Sequence, residues 1–150
     1  MKTAEDMIGD QKTKLVTVSP DVTIQEALKT MTSNNIGAIL VEEATEIVGI
    51  WTERDLMRNI LVDGFNPETA LIKDYMTQKL HFARHDDTIY KLFDQFLGLR
   101  IRHLLVKKDG VFLGMVSSGD VTRHALNDKT EEFQKLNKMV SWEYYENWQW

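Results

Sequence analysis

The sequence predicts an α+β fold: two related copies of a strand-helix-strand-strand-helix unit, packed sheet to sheet with flanking helices, plus a C-terminal helix. Three observations predict it. Residues 15–61 overlay residues 80–126 without a gap, at a shift of 65 residues. The identities are Leu15/Leu80, Asp21/Asp86, Thr23/Thr88, Ile24/Ile89, Ile36/Ile101, Leu40/Leu105, Val41/Val106, Gly49/Gly114, Asp55/Asp120, Arg58/Arg123 and Leu61/Leu126, which keeps glycine, apolar strand and aspartate in phase. Finally, Gly49-Ile50-Trp51-Thr52-Glu53-Arg54-Asp55 returns as Gly114-Met115-Val116-Ser117-Ser118-Gly119-Asp120. Each reads as a glycine turn, an apolar strand, then a hydroxyl followed three residues later by an aspartate that opens a helix, 56–61 or 121–126.

The elements follow in order. Residues 3–8 form a short helical lead, and Asp6-Met7-Ile8 is echoed by Asp74-Tyr75-Met76 ahead of the second copy. Residues 10–14 are a polar loop, and 15–18 a short strand stopped by Ser19-Pro20. Thr23 caps a helix over 24–33 with Ile24, Ala27, Leu28 and Met31 on one face, and Asn34-Asn35 breaks it. Small and branched apolar residues make 37–41 a buried strand, the acids of 42–46 a solvated turn, and 47–51 the next strand. Gly64 and Pro67 punctuate a connector over 62–72, within which a short helix begins at 68 and runs to 76. The second copy repeats the order with strand 80–83, helix 88–97, strand 101–106, turn 107–110, strand 111–116 and helix 120–126. The repeats are thus bounded at 6–61 and 73–126, with 127–150 outside both.

The whole chain sets outer bounds. Its 150 residues, 43% hydrophobic and 27% charged, suffice for a normal core, and a net charge of −5 argues against a general nucleic-acid binder. Without cysteine there is no disulfide framework, thiolate zinc site or thiol nucleophile. No apolar run approaches the roughly 20 residues that span a bilayer, and the start Met1-Lys2-Thr3-Ala4-Glu5-Asp6 lacks a signal peptide's apolar segment, so no membrane partner and a cytoplasmic location are expected. One unit of about 47 residues is too small for a substantial core, so two should pack face to face about a pseudo-twofold axis, with both corners in the cleft between them.

Each corner admits two readings. Thr52, Ser117 or the aspartates can cap the first helical turn. Alternatively, helix-start amides and a hydroxyl suit a phosphate, and a carboxylate accepts two hydrogen bonds from the adjacent hydroxyls of a ribose. The pairing of two corners favours nucleotide half-sites.

Over residues 6–126 the sequence resembles the paired cystathionine β-synthase (CBS) domains, which are adenine-nucleotide-sensing regulatory modules. The resemblance is carried by Thr17-Val18-Ser19-Pro20-Asp21-Val22-Thr23-Ile24, Ile36-Gly37-Ala38-Ile39-Leu40-Val41, Ile101-Arg102-His103-Leu104-Leu105-Val106 and the two corner stretches. It implies that Asp55 and Asp120 bind ribose hydroxyls, with Thr52 and Ser117 beside the ribose or phosphate and Ser118 in the second corner. It further implies adenine contacts from Thr17, Val18, Ile36, Gly37 and Ala38, and from Phe82, Ala83, Ile101, Arg102 and His103. AMP, ADP or ATP is then a regulatory ligand, Mg²⁺ could accompany ATP, and a flat homodimer acting on a separate target protein is expected. Alternatives are another adenosyl ligand, NAD or S-adenosylmethionine, and an interaction or dimerisation protein that binds none.

Two further features stand out. Where the first copy has Ser19, Pro20, Asn35, Gly37 and Ala38, the second has Arg84, His85, Arg100, Arg102 and His103. Arg84 and Arg100 read as solvated or paired with Asp86 and Asp87, whereas Arg102 and His103 stand where a guanidinium can grip phosphate. With Arg54, they suggest that the Thr52/Asp55 site takes the more phosphorylated ligand and the Ser117/Asp120 site a less charged one or none. Catalysis is not indicated: His81, His85, His103 and His124 form no helical metal pair, and Walker and nucleophile-elbow motifs are absent. Lastly, Phe133, Leu136, Val140 and Tyr144 share one helical stripe ahead of Trp148 and Trp150, which must cover something: its own domain, a second subunit or a target.

Overall fold

Helix caps written in the sequence set most of the element boundaries. The computed structural model describes residues 1–10 and 15–139. The loop expected at 10–14 therefore falls, beyond Asp10, outside the described residues, as do Val140, Tyr144 and the tryptophans at 142, 148 and 150. The elements are α1 (Ala4–Asp10), β1 (Thr17–Val18), α2 (Ile24–Asn34), β2 (Ala38–Glu43), β3 (Glu46–Thr52) and α3 (Glu53–Asn59), then α4 (Ile72–Tyr75), β4 (Phe82–Arg84), α5 (Ile89–Leu99), β5 (His103–Lys108), β6 (Val111–Ser117) and α6 (Ser118–Met139). At α2, Thr23 accepts from the Glu26 amide and the Glu26 carboxylate accepts from the Thr23 amide, a reciprocal cap. Asn35 ends the helix in the left-handed region at φ 52, where its side chain is better tolerated than most.

The strand-helix-strand-strand-helix order holds in both copies, and several boundaries move for physical reasons. The turn expected over 42–46 is only Ala44-Thr45, both at positive φ, because Glu42, Glu43 and Glu46 belong to the ladder of β2 and β3. The helix expected over 68–76 shrinks to α4. The carbonyls of Pro67 and Ala70 instead accept from the Gln25 and Ile24 amides, which serves the free N-terminus of α2 and prevents 67–71 from coiling. Corner helices begin two residues before their aspartates, so Asp55 and Asp120 stand in the first turn and do not open it. α6 runs on past Leu126 to Met139, since Asn127 and Asp128 are tolerated in a helix whose ladder is already nucleated.

Two compact units result, and each mixes the two sequence copies. One comprises residues 11–82; the other comprises residues 1–10 together with 83 onward. The first has a sheet ordered β1-β2-β3, with β1 parallel and β3 antiparallel to β2, over a core of Ile24, Ala27, Met31, Ile39, Val41, Trp51 and Ile72. The second has the order β4-β5-β6 and a core that includes Leu92, Phe96, Leu104, Val106, Val116 and Val121. Its core also takes Ala4 and Met7 from α1, while Ile72 of α4 belongs to the first. The lead helix before each copy therefore packs with the other copy.

That exchange explains the paired glycines. Gly49 and Gly114 are not turns; they lie inside β3 and β6, opposite Val41 and Val106. A methyl group on Gly49 would overlap Met76, and one on Gly114 would stand 3.1 Å from Ile8. Glycine here admits a helix against the strand.

Candidate functional site: two strand-to-helix corners

Both corners are built by the same short-range hydrogen bonds. At the first, the amide and hydroxyl of Thr52 donate to Asp55 Oδ2 at 2.9 and 3.1 Å, and the Asp55 amide returns to Thr52 Oγ1 at 3.4 Å. At the second, the amide and hydroxyl of Ser117 donate to Asp120 Oδ2 at 2.9 and 2.7 Å, and the Asp120 amide returns at 3.1 Å. The capping reading of the sequence is thus realised in full at each. It is also realised at Thr3 and Asp6, where the same three bonds measure 2.8, 2.9 and 3.4 Å. The hydroxyl-to-aspartate spacing therefore makes a cap wherever it occurs, and a ligand needs more than that spacing.

What the corners add is a neighbouring strand start and a second carboxylate oxygen. Ala38 is paired with Thr52, and the Gly37 carbonyl accepts from the Glu53 amide at 3.0 Å. His103 is likewise paired with Ser117, and the Arg102 carbonyl accepts from the Ser118 amide at 2.9 Å. Ile36 and Ile101 precede these contacts, so the structure brings 36–38 to 52–55 and 101–103 to 117–120. Asp55 Oδ1 has Arg58 at 3.8 Å and Asp120 Oδ1 has Arg123 at 3.2 Å. A ribose diol at either oxygen would compete with an exposed arginine, a weak rival in water.

Other expected contacts stand further back. Thr17 and Val18 pair with Leu40 and Val41 on the side of β2 away from β3, and the Thr17 hydroxyl donates to Glu42 at 2.9 Å. Ala38 and Ala83 are 4% and 2% exposed, so their side chains belong to the core and only their main chain could meet a ligand. Phe82 and Arg54 are exposed.

The basic residues of the second copy divide. Arg84 holds Asp86 through two bonds of 2.9 and 3.0 Å, which raises the guanidinium pKa and holds the Asp86 carboxyl below its usual range. His85 Nδ1 lies 3.0 Å from Glu5, and Arg100 ends α5 in the left-handed region. Arg102 remains exposed beside the second corner. Among the described residues, no three His, Asp or Glu side chains converge as a metal site would require. Sequence reasoning passed over Glu53, whose side chain lies across Gly37. The overlay held a signal: Gly37 and Glu53 change together to Arg102 and Ser118.

Comparison with known proteins places this geometry among relatives. A family model described as the CBS domain matches residues 6–62 and 72–127. The chain is 37% identical over 125 residues to the mitochondrial CBS domain-containing protein CBSX3 of Arabidopsis thaliana, covering 80% of this chain and 61% of that protein's length. The crystal structure of the CBS-domain containing protein ATU1752 from Agrobacterium tumefaciens is similar at 32% identity and a TM-score of 0.77, over 83% of this chain and 99% of that one. The fold is also shared, at 20% identity and a TM-score of 0.72 over 85% of this chain and 98% of the other, with the CBS domain pair of MJ0100, solved with 5′-methylthioadenosine and S-adenosyl-L-methionine.

Proposed function

The chain belongs to the CBS domain family, and from that premise we propose that it is a regulatory module that binds an adenosyl ligand at its corners and acts on a partner protein. The observation that carries the reading is the doubled corner. Each holds one carboxylate oxygen in a cap while an exposed arginine stands beside the other, and a strand start lies alongside. A carboxylate oriented in advance by its cap suits a cis-diol, which donates two hydrogen bonds. Related support comes from the MJ0100 pair, which is solved with two adenosyl compounds. In this reading AMP, ADP or ATP, the last with or without Mg²⁺, is the ligand of at least one corner, and the ribose of an adenosyl ligand is held by Asp55 or Asp120. Thr52, Ser117 and Ser118 approach the ribose or phosphate, and the main chain at 36–38 and 101–103 approaches the base. The protein itself carries out no catalysis, forms a homodimer, and resides where adenine nucleotides are abundant, the cytoplasm being our proposal.

Thermal shift with AMP, ADP, ATP, NAD and S-adenosylmethionine tests it. A ligand at 100 times its Kd stabilises by about 2.7 kcal/mol. The Asp55→Asn and Asp120→Asn variants should lose the ligand-dependent part of that shift. A specific observation favours the competing reading, an interaction module whose corners only cap helices: Thr3 and Asp6 build the same box. Absence of any shift across the panel would establish that reading.

A further inference from the structure

Two positions exchange both size and charge between the repeats, and the structure sets them against each other. Gly37 and Glu53 correspond to Arg102 and Ser118. In both pairs the later amide donates to the earlier carbonyl, so the two places are spatially equivalent. At the first corner the Glu53 side chain lies so close over Gly37 that a methyl group there would overlap Oε1 and stand 3.0 Å from Cδ. A carboxylate thus occupies, next to Thr52 and Asp55, ground from which the second corner extends a guanidinium. Glu53 and Arg102 are both exposed, and neither is spent on the core. The remaining charges do not cancel the contrast. Arg54 and Arg58 balance Glu53 and Asp55 at the first corner, whereas Arg102 and Arg123 outnumber Asp120 at the second.

We propose that Glu53 is a charge selector: the first corner accepts an adenosyl ligand with a neutral or cationic 5′ substituent, while the second, with Arg102 and Ser118 in the matching places, accepts a 5′-phosphate. The inference rests on the corners being adenosyl sites. Arg54 taken alone points to the opposite distribution; the adjacent Glu53 offsets it. One unit charge about 7 Å from a phosphate, at a surface-like dielectric and ordinary salt, changes affinity about three- to tenfold.

Isothermal titration of the full chain with adenosine and AMP decides the matter. An Asp120→Asn background isolates the first corner. There, Glu53→Gln should raise AMP affinity about three- to tenfold and leave adenosine affinity in place. In an Asp55→Asn background, Arg102→Gly with Ser118→Glu should lower AMP affinity relative to adenosine affinity on the same variant by a similar factor. An unchanged ratio of AMP to adenosine affinity in both comparisons, with binding intact, overturns the selector and leaves the adenosyl sites standing. Failure of both probes to bind even the parent chain overturns the adenosyl reading, and the selector with it.

Discussion

The exchange of lead helices makes a prediction that the repeat alone does not. Gly49→Ala places a methyl group where Met76 already sits, with Cγ 2.8 Å and Cβ 3.2 Å away, so the whole Met76 side chain or the strand must move. Overpacking of this kind costs about 1–3 kcal/mol, against which replacing glycine by alanine returns about 0.4–1 kcal/mol through the unfolded chain. Gly114→Ala meets Ile8 at 3.1 and 3.2 Å, a squeeze that a few tenths of an ångström relieves. We therefore expect Gly49→Ala to destabilise by about 1 kcal/mol more than Gly114→Ala, a difference of roughly 2–4 °C in Tm for a chain of this size. Met76→Ala should remove the Sδ and Cγ overlaps and leave only the Cβ contact at 3.2 Å, so the Gly49→Ala/Met76→Ala chain should be more stable than the two single effects sum to, by about 1 kcal/mol. Urea unfolding followed by far-UV circular dichroism measures the wild type and all four variants. Additivity within about 0.5 kcal/mol would refute the packing account of Gly49.

Three further outcomes are expected. Thr52→Ala and Ser117→Ala should each lose about 1 kcal/mol in urea unfolding, since each removes a helix cap, and Thr3→Ala should do the same without altering any ligand response. Thr45 is β-branched at φ 67, where Asp109-Gly110 of the second repeat uses glycine at φ 79; Thr45→Gly should raise the thermal midpoint, by about 1 kcal/mol of stability. The Glu5 pKa is lowered, first by its hydrogen bond to Lys108 and then by His85, so its contribution is present above the ordinary glutamate pKa and disappears as pH falls through the lower folded value. Wild type and Glu5→Gln should accordingly differ in urea midpoint near neutral pH and converge in acid; a gap that persists at the acid end would contradict this.

Local chemistry was legible in the sequence, and long-range pairing was not. Thr23, Asn35 and the buried run of β2 were readable because caps and apolar period act within a few residues. The echo of Asp6-Met7-Ile8 in Asp74-Tyr75-Met76 revealed that a lead helix recurs, but nothing local says which copy it covers. A glycine inside a strand was the available clue, since it signals a close approach. Residues 68–71 had helical composition, yet the carbonyls of Pro67 and Ala70 are claimed by α2, a tertiary demand that overrides propensity. At the corners, the aspartates and hydroxyls could be found from spacing. For Glu53 the overlay held only its joint change with Gly37, and their opposition depends on how β2 and β3 are registered.

Crossed lead helices also constrain how this chain can be divided. A cut between the sequence copies would leave α1 on a fragment whose own sheet wants α4, and α4 on a fragment whose sheet wants α1. Neither piece could close its core alone, but each would carry the plug the other lacks. Split expression at the connector should therefore fail singly and succeed by complementation, and the seams that leave both cores whole lie at 10/11 and 82/83.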